Sequence, residues 1–201
     1  MLILGFIKNI YYLCINKSRP LPVRLAYPAG HFYLWESDIH IRPLLFTAIQ
    51  TIEVSVRTKI IKHLALEFGA FWFMDENYAI NKTRFAANLS VIRKEVSRSH
   101  DDFITEHFRK YSEPDLPPVW KTLEVISMGT LSKLYANFSD SAAKHAVARE
   151  FGLKHHKFLR SWLECLAVLR NCCAHPHFLL KNNSCLSDLY VSKMFLQAGL
   201  Q

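Results

Sequence analysis

Apolar side chains recur along most of the chain at intervals of three and four residues, the spacing of a helix with one buried face. The clearest stripe begins after a pair that can cap a helix, Ser37 and Asp38, and ends before Gly69. Its members are Leu45, Ala48, Ile49, Ile52, Val56, Ile60 and Leu64. We therefore expect a long helix here, preceded over residues 16–30 by an irregular connector with three prolines.

The same spacing predicts several shorter helices downstream. Residues 81–111 favour one or two charged helices, and Pro117-Pro118 opens another that we expect to break at Gly129. We assign to that helix Val119, Leu123, Ile126 and Met128. Two further helices are predicted over residues 131–138 and 142–151, the second capped by Ser139-Asp140-Ser141 and ended by Gly152.

The last clear helix runs from about His155 to Ala174 and has a strong amphipathic pattern. Its apolar stripe consists of Phe158, Trp162, Leu163, Leu166 and Leu169. Because no alternating strand pattern competes anywhere in the chain, the sequence predicts an all-α protein.

This helix ends in Arg170-Asn171-Cys172-Cys173-Ala174-His175, directly before Pro176. An arginine binds phosphate through a fork of charged donors, and a histidine moves protons near neutral pH, as metal-independent RNA cleavage requires. On a straight helix Arg170 points about 100° away from the face that Asn171 and His175 share. Pro176 disfavours helical dihedrals at His175, so we expect that side chain to swing toward Arg170. An arginine and a histidine at this spacing also occur by chance on the surface of core helices.

Charge and composition limit the classes of molecule to which the protein can be expected to bind. The chain has 201 residues, half of them hydrophobic, and a net charge of +8, which favours one folded domain with a polyanionic partner. In the charged helical region, Arg93, Lys94 and Arg98 form either an RNA-binding track or a merely solvated face. The apolar N-terminal run is far too short for a membrane span, so we expect no membrane partner.

The cysteines indicate reduced thiols. There are five, with no CxxC pair, which does not match a secreted disulfide framework and favours a cytoplasmic location. Cys172, Cys173, His175 and His177 are packed too closely in sequence to match known zinc sites. We therefore predict no metal site and no cofactor.

Around the terminal motif the chain resembles the Abi family of bacterial abortive-infection proteins, which carry a HEPN-type RxxxxH ribonuclease motif. The resemblance covers roughly residues 33–177 in family order. The blocks that carry it are residues 41–58 and 64–72, Leu116-Pro117-Pro118-Val119-Trp120, residues 123–125 and 129–135, Phe151-Gly152-Leu153, Trp162-Leu163 and residues 169–175.

The resemblance implies a HEPN-like helical bundle with appended helices over residues 33–178. Residues 1–32 are then an irregular or divergent N-terminal segment. Residues 179–201 diverge from the family as the C-terminal tail of a truncated copy would.

The implied function is phage defence by a metal-independent RNA endonuclease. His175 would activate the ribose 2′-hydroxyl or protonate the leaving oxygen, Arg170 would stabilise the transition-state charge, and Asn171 would orient the phosphate or the histidine. Glu53 and Arg57 would support the site by orienting Arg170, or pair with each other as a structural salt bridge. The implied partners are RNA, a second copy of the chain with its motif facing the first, and an antitoxin or phage-derived trigger.

The sequence is also compatible with two other interpretations. One is a catalytically inactive helical RNA-binding protein or regulatory partner in a toxin–antitoxin-type system. The other is a dimeric scaffold whose basic residues form only a solvated surface.

Overall fold

The computed structural model describes the backbone of residues 28–174 and, apart from Cys172, the side chains of residues 42–174. Within that part of the chain it is helical and has no β-strand, so the predicted all-α class is confirmed. The helices are α1 (Pro28–Phe68), α2 (Lys82–Arg98), α3 (Asp102–Lys110), α4 (Val119–Val125), α5 (Met128–Asn137), α6 (Ala142–Glu150) and α7 (His156–Ala174). The HEPN-like arrangement of these helices stays a prediction.

The long first helix carries the predicted stripe but begins earlier than expected. Ile49, Val56, Ile60 and Leu64 are at most 1% exposed, as a 3.6-residue period requires. The start predicted at Ser37 or Asp38 is wrong, because α1 begins at Pro28. Proline fits a first helical turn, where its missing N–H is not needed.

Gly69 ends α1 as predicted. Its φ of 85° lies in the left-handed region, and its amide donates to the carbonyl of Ala65 at 2.9 Å. Two single-turn 3₁₀ helices follow, Trp72–Met74 and Glu76–Tyr78. Trp72 is buried and its ring packs edge-on against that of Phe138, with centroids 4.9 Å apart.

The break predicted at Gly129 is wrong. Gly129 lies inside α5, and the chain turns instead at Ile126 and Ser127. The Ser127 hydroxyl accepts the amide of Thr130 at 3.2 Å and so caps a new helix. Met128 therefore opens α5 and does not belong to α4.

The two last helices follow the sequence prediction closely. Ser141 caps α6 by accepting the amide of Lys144 at 3.2 Å, and Gly152, with a φ of 74°, follows its end. Four members of the predicted stripe of α7 are buried, namely Trp162, Leu163, Leu166 and Leu169. The fifth, Phe158, is only half-buried, and the neighbouring Leu159 is buried instead. None of the helices over residues 28–174 combines the length and the apolar content needed to cross a bilayer.

The helices belong to two compact units. Glu53–Glu164 form one, and the described residues before and after this range belong to the other. Within Glu53–Glu164, α2 packs against α4 and α5. The domain boundaries predicted at residues 32 and 178 stay predictions.

Candidate functional site

The C-terminal part of α7 presents Arg170 and Asn171 beside its buried face. Leu169 is buried, Arg170 is half-buried and Asn171 is exposed. The guanidinium carbon of Arg170 lies 5.9 Å from the centre of the Phe46 ring on α1, which is a cation–π contact. A guanidinium that contacts a ring can still donate N–H groups to an anion.

The third predicted catalytic residue, His175, lies outside the described residues together with Pro176 and His177. Arg170 and Asn171 are consecutive on α7, so their side chains leave the helix about 100° apart, as expected. The swing of His175 toward Arg170 stays a prediction.

Glu53 and Arg57 form an ion pair one turn apart on α1. The Arg57 guanidinium also donates to two backbone carbonyls at the end of α4, that of Glu124 at 2.5 Å and that of Ile126 at 2.8 Å. The last carbonyls of a helix have no partner within it, so Arg57 caps α4. These contacts give both side chains a structural role, whereas an orienting role toward Arg170 stays a prediction.

The three residues predicted to bind RNA do not share one face of α2. Lys94 and Arg98 are one turn apart and both exposed. Arg93 leaves the helix about 140° away from Arg98 and pairs with Asp115, its Nε 2.7 Å from the carboxylate. Arg84 instead falls within about 80° of Lys94 and Arg98, so it extends their basic stripe.

A cleft of about 390 Å³ lies between α2, α5 and the first half of α7. Three basic side chains line it, those of Arg84, Lys133 and Arg160, the last of which pairs with Glu164 at 3.1 Å. Asn88 also lines the cleft. It is 7% exposed, and neither amide atom has a hydrogen-bond partner among the described residues.

The sequence offered no local signal for this cleft. Lys133 and Arg160 stand on different helices and become neighbours of Arg84 only through packing. Each looks like an ordinary exposed charge when it is taken alone.

The described residues also include one group able to hold a metal ion, His145, His155 and His156. These histidines were not predicted as ligands, because the only candidate metal ligands identified in the sequence were those of the cysteine-containing motif. Of that motif, Cys173 is buried on α7, and the two histidines lie outside the described residues.

Comparison with known proteins places the chain in a family. The family model described as Abi-like protein matches residues 30–181, which is more than half of the chain. No curated protein and no solved structure matches it. The matched range contains both the cleft and the whole Arg170–His175 motif.

Proposed function

The chain belongs to the family of Abi-like proteins, and from that premise we propose that it is an abortive-infection protein that cleaves RNA without a metal ion. The observation that carries the proposal is the Arg170–His175 sequence motif, which lies within the matched range and whose residues 170–174 belong to α7. Family membership supports the role in phage defence. The chemistry of the motif supports the reaction.

In the proposed reaction the ribose 2′-hydroxyl attacks the adjacent phosphorus and the 5′-oxygen leaves. His175 takes the proton of the attacking hydroxyl or gives one to the leaving oxygen. Arg170 donates N–H groups to the phosphate oxygens, whose negative charge grows in the transition state. Asn171, exposed on the next position of α7, orients the phosphate or the histidine.

RNA binding is supported by the basic stripe and the cleft. The stripe of Arg84, Lys94 and Arg98 offers positive charges along one face of α2 to a phosphate backbone. Asn88 has an amide without a partner among the described residues, and such an amide can donate to and accept from the edge of a base.

The proposed assembly is a homodimer in which two copies of the motif face each other. The proposed regulators are an antitoxin or a phage-derived trigger. Both proposals rest on the family resemblance.

The test combines growth and cleavage assays. His175→Ala and Arg170→Ala should each relieve growth arrest on expression and reduce RNA cleavage by ~10²–10⁴-fold. Arg149→Ala, which removes an exposed arginine of α6, is the matched control and should change neither readout. Circular dichroism must show the same helix content in all variants. Full cleavage by both motif variants would overturn the proposal.

A second candidate function, RNA binding without cleavage, is favoured by the cleft itself. Its basic residues and Asn88 all lie within Glu53–Glu164 and do not depend on Arg170 or His175. Salt-dependent binding of RNA by purified protein, with no cleavage in the presence of any tested trigger, would select this function.

A further inference from the structure

Three histidines meet where α6 is followed by α7. His145 lies in the first half of α6, His155 directly precedes α7, and His156 is its first residue. Each offers a ring nitrogen, and these nitrogens all lie within 4.8 Å of one another. The ring centroids of His155 and His156 are 4.3 Å apart, and both lie within 4.8 Å of that of His145.

The turn after α6 brings the three rings together. Gly152 adopts a φ of 74°, which a residue with a side chain rarely tolerates, and the amide of Leu153 returns to the carbonyl of Ala148 at 3.1 Å. The chain therefore reverses within a few residues. His155 and His156 come to lie against α6.

A carboxylate faces two of the rings. Asp140 precedes α6, and its Oδ1 lies 2.9 Å from Nε2 of His145 and 3.3 Å from Nδ1 of His156. His156 is only 7% exposed, and its Nδ1 has no hydrogen-bond partner of acceptable geometry among the described residues. A buried ring nitrogen without such a partner is destabilising unless another ligand satisfies it.

We infer that Asp140, His145, His155 and His156 bind one divalent metal ion of the zinc class. Neutral imidazole nitrogens with one carboxylate oxygen are a common donor set for zinc. A tetrahedral zinc with Zn–N bonds of ~2.0–2.1 Å holds its ligand atoms roughly 3.3 Å apart. The nitrogens, within 4.8 Å of one another, need shifts on the order of 1 Å, which side-chain rotation supplies.

Two contacts oppose binding. Nδ1 of His155 accepts the amide of Lys157 at 3.2 Å, and this long hydrogen bond is lost whichever ring nitrogen binds the metal. The buried Lys144, which donates to the carbonyl of Phe138, adds positive charge nearby. The negative charge of Asp140 offsets part of that positive charge and so favours binding.

A metal at this position would crosslink the start of α7, through His155 and His156, to the beginning of α6, through Asp140 and His145. The role we assign is therefore structural. It is independent of the chemistry proposed for Arg170 and His175.

The experiment uses untagged, full-length protein freed of metal by a chelator and titrated with Co²⁺, whose visible absorption reports tetrahedral binding. Competition with Zn²⁺ then gives the zinc affinity. His145→Gln and His155→Gln each remove a half-buried ligand and should lower metal affinity by about 100-fold or more. Loss of a residue that only hydrogen-bonds to a ligand already lowers metal affinity by ~10–100-fold. Asp140→Asn should weaken it by ~10-fold or more. His100→Gln, at an exposed histidine between α2 and α3, should have no effect.

One equivalent of bound Co²⁺, without a thiolate charge-transfer band and lost in the histidine variants, supports the site. Their circular dichroism without metal must match that of the parent chain. Absence of tetrahedral Co²⁺ absorption in the parent chain would overturn the inference. So would a thiolate band, or affinity unchanged by both His145→Gln and His155→Gln.

Discussion

The two ends of α7 carry candidate sites of different origin, one formed by consecutive residues and the other by residues that are distant in the sequence. The C-terminal end carries Arg170 and Asn171 within a continuous motif that can be recognised in the sequence. The N-terminal end carries His156, which lies beside His145 and Asp140 only because the turn after α6 brings it back against that helix. One end is defined by neighbours in the chain and the other by neighbours in space.

The two ends of α7 also differ in how far their polar side chains are buried. His156 is 7% exposed and its surroundings lower its pKa, so packing has already changed its chemistry. Asn171 is exposed, and the motif therefore depends on what binds to it.

After the alanine variants of the motif, the largest effect is expected when lysine replaces Arg170. Lysine keeps the positive charge but lacks the planar fork that donates two hydrogen bonds to a phosphate. We expect kcat/KM for RNA cleavage to fall by about 10²-fold, similar to the removal of one donor from an oxyanion site. Arg149→Lys applies the same substitution to an exposed arginine of α6 and should leave kcat/KM unchanged. A wild-type rate in Arg170→Lys would show that the motif acts through charge alone.

Sequence reasoning succeeded where a signal is local. The apolar stripes of α1 and α7, and the glycines after α1 and α6, predicted helices and helix ends that the structure confirms. The helix break predicted at Gly129 was wrong. Glycine was taken as a helix breaker, whereas the boundary is set two residues earlier, where Ser127 caps α5. Sequence reasoning also missed the early start of α1 at Pro28, since proline was taken as part of a connector.

Sequence reasoning had no access to features made by packing. Lys133 and Arg160 line the same cleft as Arg84, and Arg93 pairs with Asp115, which lies outside α2. A single sequence gives the type of each residue. It does not give the pairing of helices that makes distant residues neighbours.

The second prediction tests whether the cleft binds RNA. The double variant Arg84→Ala, Lys133→Ala should weaken binding of single-stranded RNA on the order of tenfold at low salt. The dependence of log affinity on log salt should become shallower by about 1.4, because each lost phosphate contact is worth roughly 0.7 on single strands. Filter binding or fluorescence anisotropy at several salt concentrations measures both quantities.

Arg93→Ala is the matched control for the cleft. It removes one positive charge from α2, but at a side chain that pairs with Asp115 away from the basic stripe. We expect RNA affinity and salt dependence to stay near those of the parent chain. If Arg93→Ala and the double variant weakened binding equally, the effect would come from net charge and not from the cleft.

The third prediction concerns the contact that holds Arg170. Phe46→Leu keeps an apolar side chain of similar size but removes the ring that attracts the guanidinium. A cation–π contact of this kind is worth ~0.5–1 kcal/mol, so kcat/KM should fall about two- to fivefold. In the Arg170→Ala background the same change should have no further effect on cleavage, since the ring then has no cation to position. Equal losses in both backgrounds would mean that Phe46 acts through packing.

The smallest expected effect lies in the stability of α6, the helix that carries His145. Glu150 ends this helix and accepts hydrogen bonds from Lys59 at 2.5 Å and Lys62 at 2.9 Å on α1, with His63 2.6 Å away. These contacts hold the pKa of the Glu150 carboxyl well below its ordinary value of 4.5. They also offset the unfavourable position of a negative charge at a helix C-terminus.

Folding lowers the pKa of the Glu150 carboxyl, so its charged form stabilises the folded chain when the pH is above the pKa of the unfolded chain. This stabilisation is lost as the pH falls through 4.5 and below. Glu150→Gln should therefore lower the free energy of unfolding at pH 7 by at most about 1 kcal/mol, as expected for a largely solvated ion pair. In urea titrations the difference from the parent chain should shrink steadily below pH 4.5. Glu124→Gln, at an exposed glutamate of α4, should show little difference at any of these pH values. If Glu150→Gln changed the free energy of unfolding equally at every pH, the side chain would act through packing. Ion pairing between Glu150 and α1 would then not stabilise the end of α6.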